Sequence, residues 1–145
     1  MAAEPDNRAI RSYEDLQVFQ RGMDLLKPVL DFSLKLPDFE KFDLASQLRR
    51  ASKSVPANIA EGYAKKRSAK EFRAYLANAM GSCSEMVVHL KIAKRLEYRP
   101  ISECDDLIHA YDVLGRQLHR LIDRWRTLDA RPPTSNFQPP RDREA

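Results

Sequence analysis

Apolar residues recur every three or four positions along four long segments of this 145-residue chain, and this spacing limits the possible folds more than any other feature. Such spacing places apolar side chains on one face of an α-helix. The chain has only four glycines, and no segment alternates apolar and polar residues as a β-strand would. A single domain of this length buries roughly 68–70% of its unfolded surface. The sequence therefore predicts one all-α domain.

The first segment has an unusually wide apolar face. Ser12 precedes the acidic turn of Tyr13–Asp15, and we expect the helix to end near Lys35 with a bend at Pro28. One apolar stripe comprises Leu16, Phe19, Met23, Leu26, Leu30 and Leu34, and a second comprises Val18, Gly22, Leu25, Val29, Phe32 and Leu36. In the connection that follows, Phe39 and Phe42 are expected to fold back onto the core.

The later segments carry helix start and stop signals. Asp43 is the expected N-cap of the second helix, which contains Pro56 and should be kinked there. Ser68 to Glu71 has the spacing of a capping box for the third helix. Arg99-Pro100 ends that helix, and Ser102 with Asp105 is expected to cap the fourth.

Helices of roughly 20–30 residues with short links favour antiparallel neighbours. We therefore predict an antiparallel, up-down-up-down four-helix bundle over residues 13–128. Residues 1–12 should form a flexible N-terminal segment. Residues 129–145 contain the pairs Pro132-Pro133 and Pro139-Pro140 with polar spacers and should form a disordered tail.

Several classes of protein do not fit. No apolar run approaches the ~20 residues that span a bilayer, and the polar start lacks a signal-peptide core. Cys83 and Cys104 belong to no CxxC or Cys/His cluster and are expected to be reduced thiols. These features predict a cytoplasmic protein with no membrane partner.

Catalytic and metal-binding patterns are weak. Three histidines and scattered serines form no triad spacing, and the glycines form no phosphate-binding loop. Glu61, Glu85 and His89 could be imagined as metal ligands, but the Glu85–His89 spacing occurs once and differs from the Glu-x-x-His pairs of bundle di-metal sites. We predict no catalytic residue, no metal and no cofactor.

Positive charge is concentrated in one third of the chain. Residues 41–70 hold eight basic and two acidic residues, a net charge of +6, whereas residues 13–40 hold three basic and six acidic ones, a net charge of −3. Without interleaved aromatic residues, a basic cluster suits phosphate contacts better than base stacking. An ordinary solvated surface is the competing interpretation. The candidate nucleic-acid-binding residues are Arg49, Lys53, Lys65, Lys66, Arg67, Lys70, Lys91, Lys94 and Arg95.

Two further sets concern packing. A polar set on helices two and three is interpreted as a network that fixes bundle register, with a ligand or partner site as the alternative; it comprises Arg50, Ser54, Asn58, Glu61 and Glu85. A small-residue strip on helix three would let another helix approach closely; it comprises Ala74, Ala77, Asn78, Gly81 and Ser84. With the two stripes of helix one, this strip predicts self-association.

Several motifs resemble one known family. They are Tyr13-Glu14-Asp15-Leu16, Gln47-Leu48-Arg49-Arg50-Ala51, Ser54-Val55-Pro56-Ala57-Asn58-Ile59-Ala60-Glu61-Gly62, and on helix three Glu71-Phe72, Tyr75-Leu76, Ala79, Gly81-Ser82 and Glu85. The chain resembles, over about residues 12–128, the four-helix-bundle proteins encoded by intervening sequences in bacterial large-subunit (23S) rRNA genes. That family also looks related to the accessory variability determinant of diversity-generating retroelements. One departure is Phe19, near which many relatives have tryptophan.

The resemblance implies a homo-oligomer, with a pentamer as the known arrangement, and no enzymatic activity. For the retroelement relatives it also implies a basic surface that binds nucleic acid and a reverse transcriptase. Two hypotheses follow. The first is a nucleic-acid or ribonucleoprotein binding accessory, with RNA or DNA as partner. The second is a structural protein–protein interaction oligomer whose charge only keeps it in solution.

Overall fold

The computed structural model describes residues 10–129, with side chains for residues 10–126, and all regular structure in this range is helical. Most of the predicted N-terminal segment and the predicted tail beyond Asp129 lie outside the described residues. The helices are α1 (Gln17–Asp24), α2 (Leu26–Leu34), α3 (Leu44–Ala64), α4 (Ala69–Arg95) and α5 (Ile101–Asp129).

The first predicted helix is divided into α1 and α2, which meet at Leu25. The Leu25 amide donates to the Arg21 carbonyl at 3.2 Å, and the Val29 amide donates to the Leu25 carbonyl at 3.1 Å. Pro28 lies in the first turn of α2, where its missing N–H removes the bond that the Asp24 carbonyl would otherwise receive. The break between α1 and α2 therefore lies one turn before Pro28, the residue whose missing N–H removes this hydrogen bond.

The chain enters α1 through a short 3-10 turn over Tyr13–Asp15. The Ser12 hydroxyl accepts from the Glu14 amide at 3.2 Å, and the Asp15 carboxylate accepts from the Ser12 amide at 3.2 Å. These two bonds form a reciprocal capping box, which satisfies donors that the turn would leave open.

Only one of the two apolar stripes reaches the core along most of its length. Val18, Val29 and Phe32 are buried among residues of α3 to α5. In the other stripe, Leu16 is buried, but Met23, Leu30 and Leu34 are 46%, 44% and 69% exposed.

Phe39 and Phe42 do not fold onto the core, so that prediction was wrong. They are 75% and 88% exposed, and Phe39 only meets the edge of the Tyr98 ring, with centroids 6.0 Å apart. Leu36 and Leu44, on either side of the connection, are almost fully buried and already fill this end of the core.

α3 continues without interruption through Pro56, which is buried. Gly22 of α1 faces this proline, and a Cβ placed at Gly22 would lie 3.4 Å from Pro56 Cδ. Against α4, Ser54 hydrogen-bonds Ser82, while Gly62 approaches Tyr75 so closely that an added Cβ would lie 2.6 Å from the tyrosine Cβ. From the first of these two contacts to the second, residue numbers rise along α3 and fall along α4.

Ser68 caps the start of α4 as predicted, because its hydroxyl accepts from the Glu71 amide at 3.2 Å. The other half of the predicted capping box was wrong, since the Ser68 amide donates to the Lys65 carbonyl instead of to Glu71. The cap predicted at Ser102 was wrong. α5 begins at Ile101, and the Cys104 amide donates to the Pro100 carbonyl, so Ser102 lies exposed inside the first turn. Pro100 accounts for the difference, because its fixed φ lets a helix begin directly after it.

The turn between α4 and α5 places a non-glycine residue in the left-handed region. Glu97 has φ of 59°, its amide donates to the Lys94 carbonyl, and the Tyr98 amide donates to the Ala93 carbonyl. This is the Schellman arrangement, in which glycine normally occupies the position of Glu97.

Candidate nucleic-acid interface

The tight turn between α3 and α4 concentrates positive charge at one end of the molecule. Lys65 directly follows α3, and the Ser68 amide donates to the Lys65 carbonyl at 3.1 Å, so the chain reverses within a few residues. Lys65, Lys66, Arg67 and Lys70 are all exposed in or beside this turn. Four predicted interface residues therefore lie together.

Two tyrosines hold the first two lysines in place. Lys65 Nζ donates to the Tyr75 hydroxyl and Lys66 Nζ to the Tyr63 hydroxyl, each at 2.7 Å. The ammonium groups also lie 4.8 Å and 3.9 Å from the centroids of these rings. The hydrogen bond to Tyr75 is the main cause that raises the pKa of Lys65 above its usual value. The tyrosine contacts therefore restrict the positions of both ammonium groups.

Sequence reasoning missed the contribution of α5 to this end. The Phe72 ring packs on Trp125 with centroids 4.6 Å apart, and Arg73 Nη1 donates to the Trp125 carbonyl at 3.2 Å. These contacts bring the last turns of α5 beside the start of α4. We define the basic end as the cations that share this location: Lys65, Lys66, Arg67, Lys70, Arg73, Arg124 and Arg126. The predicted antiparallel order of neighbouring helices was the available clue.

Acidic residues reduce the charge of the basic end without cancelling it. Glu61 accepts from the Tyr75 hydroxyl at 3.4 Å and lies 4.0 Å from Lys65 Nζ. Asp123 pairs with Arg126 at 3.4 Å. Both contacts are at the surface, where ion pairs contribute little stability and exchange readily with other partners.

Arg49 and Lys53 lie elsewhere. The Arg49 guanidinium donates to the Ser33 hydroxyl at 3.4 Å and to the Lys41 carbonyl at 3.2 Å, so it ties the start of α3 to α2 and to the connection between them. Lys53 is exposed near the middle of α3. The structure does not bring these two residues to the basic end.

Lys91, Lys94 and Arg95 lie at the opposite end of α4, about 32–38 Å from Lys70 at 1.5 Å per residue. With Arg99 they line a cavity of about 660 Å³. Lys94 binds Asp105 at 2.7 Å, and Arg99 binds both carboxylate oxygens of Glu103 at 2.8 and 2.9 Å. The Arg99 hydrogen bonds hold the pKa of Glu103 below its usual value. Half of the cations at this site are therefore already paired.

The predicted polar set is distributed over separate places. Ser54 bonds Ser82, and Asn58 Nδ2 donates to the Ser54 carbonyl at 2.8 Å. Glu61 belongs to the basic end. The Glu85 carboxylate accepts from His89 Nε2 on its own helix at 3.1 Å, and Arg50 is exposed. Only Ser54 and Asn58 of this set meet directly.

Groups that could act as nucleophiles or metal ligands are buried or dispersed. Burial raises the pKa of the Cys83 thiol to about 12 and also raises the pKa of Cys104, and both are free cysteines. These shifts oppose formation of the thiolate, the reactive form. In the part of the chain that the structure describes, no three His, Cys, Asp or Glu residues are grouped as metal ligands. Nor does any described helix combine the length and apolar character required to cross a bilayer.

These features define a class, a small all-helical protein with one strongly basic end. The sequence profile of the 23S rRNA-intervening sequence protein family matches residues 14–120. The chain belongs to this family, which confirms the resemblance predicted from its motifs. Comparison with curated protein sequences finds no match. The relation to retroelement accessory proteins stays a prediction.

Proposed function

We propose that this protein is a non-enzymatic, homo-oligomeric helical bundle that binds nucleic acid or a ribonucleoprotein through its basic end. The monomer unit of this proposal is an antiparallel, up-down-up-down bundle, and the assembly is a pentamer. Membership of a family named for 23S rRNA-intervening sequences supports an RNA-related role.

The ordered lysines carry the proposal. Lys65 and Lys66 are fixed by tyrosine hydroxyls, Arg67 lies in the same turn, and Lys70 lies at the start of α4. Arg73 adds charge from α4, and Arg124 and Arg126 add charge from α5. Preordered cations lose less conformational entropy when they contact a phosphate, so they bind it more tightly than freely moving side chains do.

The aromatic residues at the basic end favour phosphate contact over base stacking. Tyr63, Phe72 and Trp125 are buried, so their rings are covered by the protein itself. Tyr75 is half-buried, and the Lys65 ammonium group lies 4.8 Å from its ring centroid. Base-stacking surfaces need exposed rings. We therefore expect binding to backbone phosphates with weak sequence preference.

Charge reversal tests the proposal. Lys65, Lys66 and Arg67 are replaced by glutamate in one variant, and Lys91 and Arg95 by glutamate in the matched control. Fluorescence anisotropy with labelled RNA and DNA duplexes, measured at two salt concentrations, gives the affinity. On duplex DNA, log K should fall with log salt by about 0.9 per phosphate contacted. The triple variant should lose both affinity and most of this salt slope.

The control variant should bind almost as tightly as the original protein, because it leaves the basic end intact. Sedimentation would verify that neither variant alters the oligomer. Binding that is insensitive to salt, or that survives the triple reversal, would refute the proposed interface.

A second candidate is the structural protein–protein interaction oligomer without a nucleic-acid role. The exposed side chains of Phe39, Phe42 and Leu34 favour it, since they offer apolar area at a distance from the basic end. Absence of binding to either duplex at low salt would favour this candidate. A reverse transcriptase is the partner to test first, because the resemblance to retroelement proteins implies it.

A further inference from the structure

A groove runs along the contact between α4 and α5, near the middle of both helices. Its volume is about 470 Å³, within the range of roughly 300–1,000 Å³ that is usual for small-molecule sites. We define the α4–α5 groove by lining residues from both helices: Met80, Cys83 and Val87 of α4, and Tyr111 and Gly115 of α5. The groove is therefore large enough for a small ligand, and apolar side chains form most of this lining.

Gly115 opens the groove because it brings no side chain to the contact between the two helices. A Cβ added there would lie 3.8 Å from the Cys83 Cβ, an ordinary contact distance with no clash. Leu114 and Leu118, beside it on α5, are fully buried in the core. They therefore do not fill the space that the missing side chain leaves.

The Tyr111 hydroxyl is a buried polar group at this groove. The residue is 1% exposed, and its hydroxyl oxygen has no hydrogen-bond partner in the part of the chain that the structure describes. Burial raises the pKa of Tyr111, and the nearby Cys83 thiol adds to the shift, so the hydroxyl stays protonated. Buried hydroxyls without a hydrogen bond are costly, and in folded proteins such groups are normally paired.

Access to this hydroxyl requires a small movement, because the oxygen atom itself has almost no accessible surface. Met80 is half-buried, lines the same groove, and has an unbranched side chain that adapts to its surroundings. Val87 is stiff at its first side-chain torsion, and Cys83 is buried against the core. A rotamer change of Met80 is therefore the least costly way to open the floor of the groove.

The charged residues at the rim of the groove balance one another. Asp112 and Arg116 lie one turn apart on α5, and the Arg116 Nε donates to the Asp112 backbone carbonyl at 3.4 Å. His119 also lines the groove, with its Nε2 3.3 Å from the Asp123 carboxylate, which in turn pairs with Arg126. One carboxylate and one guanidinium therefore face the rim, and together they favour neither an anion nor a cation.

We propose that the α4–α5 groove binds a small, uncharged, planar aromatic molecule that carries one N–H or O–H group. The ring packs over Gly115 and against the sulfur-containing side chains of Met80 and Cys83, which make favourable contacts with aromatic rings. Its polar group bonds the Tyr111 hydroxyl. Gly115 lies about 14 Å along α5 from Arg124 at 1.5 Å per residue, so this site is separate from the basic end.

Indole and 1-methylindole test the hydrogen bond, because they share a ring system and only indole carries an N–H. In ligand-observed NMR titrations, the original protein should bind indole with a Kd of about 1 mM or lower. It should bind 1-methylindole about 2–10-fold more weakly, the usual effect of one lost hydrogen bond. 3-Methylindole, which keeps the N–H, is the control for the added methyl group and should bind like indole.

Tyr111→Phe keeps the ring and removes only the hydroxyl. In this variant the preference for indole over 1-methylindole should disappear. Loss of a hydroxyl that has no partner should leave the fold intact, and circular dichroism verifies this. A preference that survives in Tyr111→Phe would overturn the proposed contact.

Gly115→Leu places a side chain in the groove and should weaken indole binding at least about tenfold. Gly81→Leu is the matched control, because Gly81 is a helical glycine outside the groove and a Cβ there would meet no atom within 4 Å. This control should bind indole like the original protein. The Tyr111→Phe comparison stands even if Gly115→Leu does not fold.

Charged analogues test the choice of an uncharged ligand. Indole-3-acetate and tryptamine should each bind no more tightly than indole, since Asp112 and Arg116 offset each other. The inference is overturned by a tenfold preference for either analogue, by full binding in Gly115→Leu, or by no saturable indole binding up to about 10 mM. A lower assembly mass of Gly115→Leu in light scattering would also overturn it, because another copy would then cover the groove.

Discussion

Two glycines in this protein have opposite roles, although both lie within helices. Gly62 allows α3 to approach Tyr75, whereas an added Cβ at Gly115 would lie 3.8 Å from Cys83 Cβ, an ordinary contact distance. Alanine is favoured over glycine in a helix by roughly 0.5–1 kcal/mol. Whether alanine stabilises the helix at each position depends on whether its Cβ would clash with a neighbouring side chain.

We expect Gly62→Ala to lower the free energy of unfolding by about 1–2 kcal/mol, because overpacking costs roughly 1–3 kcal/mol and exceeds the gain in helix propensity. Gly115→Ala, the control, should raise it by up to about 1 kcal/mol. Urea unfolding followed by circular dichroism measures both. Equal effects of the two substitutions would contradict the clash at Tyr75.

Glu97 is the described non-glycine residue with a positive φ, and its backbone is strained there. Glu97→Gly should raise the free energy of unfolding by about 0.5–1 kcal/mol, since glycine adopts this conformation without a steric penalty. Glu97→Ala removes the same charge but keeps a Cβ. Glu97→Ala should therefore show no comparable gain in stability in a thermal melt. A gain as large as that of Glu97→Gly would mean that the loss of charge, and not the relief of backbone strain, causes the stabilisation.

At the scale of elements, two serines with similar sequence contexts differ in function. Ser68 caps α4, but Ser102 lies inside the first turn of α5. Ser68→Ala should lower the free energy of unfolding by about 1 kcal/mol, the usual contribution of an N-cap. Ser102→Ala should leave it within about 0.5 kcal/mol, as expected for an exposed site away from special features. Chemical denaturation measures the free energy of unfolding of both variants. Equal losses would contradict the assignment of Ser68 as a cap and of Ser102 as a residue inside the helix.

Helical periodicity predicted the elements well because it reports which face of a helix is apolar. It did not predict where α1 ends, since the break at Leu25 depends on a hydrogen bond lost one turn before Pro28. Nor could it place Phe39 and Phe42, because an apolar residue in a connection is buried only if the neighbouring core has room. Here Leu36 and Leu44 occupy that space.

For the whole molecule, the candidate site was predicted only in part. The Lys65–Lys70 cluster is local in sequence, and its charge was visible there. The addition of Arg124 and Arg126 depends on contacts between residues about fifty positions apart, such as Arg73 with Trp125. Sequence alone also could not show that Arg49 and Lys94 are already bound within the protein.

Thiol chemistry tests the integrity of the whole helical core. Burial raises the pKa of Cys83 to about 12 from its ordinary 9.0. The contribution of the buried, neutral Cys83 thiol to the free energy of unfolding is therefore fully present below pH 9 and is lost as the pH rises from about 9 towards 12. At pH 8, Cys83 should react with iodoacetamide only when the fold opens, and urea should accelerate the reaction. Ala57→Cys, at an exposed site, should react rapidly without denaturant; rapid labelling of Cys83 in native conditions would refute its burial.

Trp125 is the only tryptophan in the chain, and it joins the basic end to the interior. Its ring rests on Phe72, Phe72 meets the Tyr63 ring at 6.4 Å, and the Tyr63 hydroxyl receives Lys66. A polyanion that contacts Lys66 would change the charge beside this aromatic stack. The protein thus contains its own optical probe, and a change in tryptophan emission on titration would follow occupancy without any attached dye.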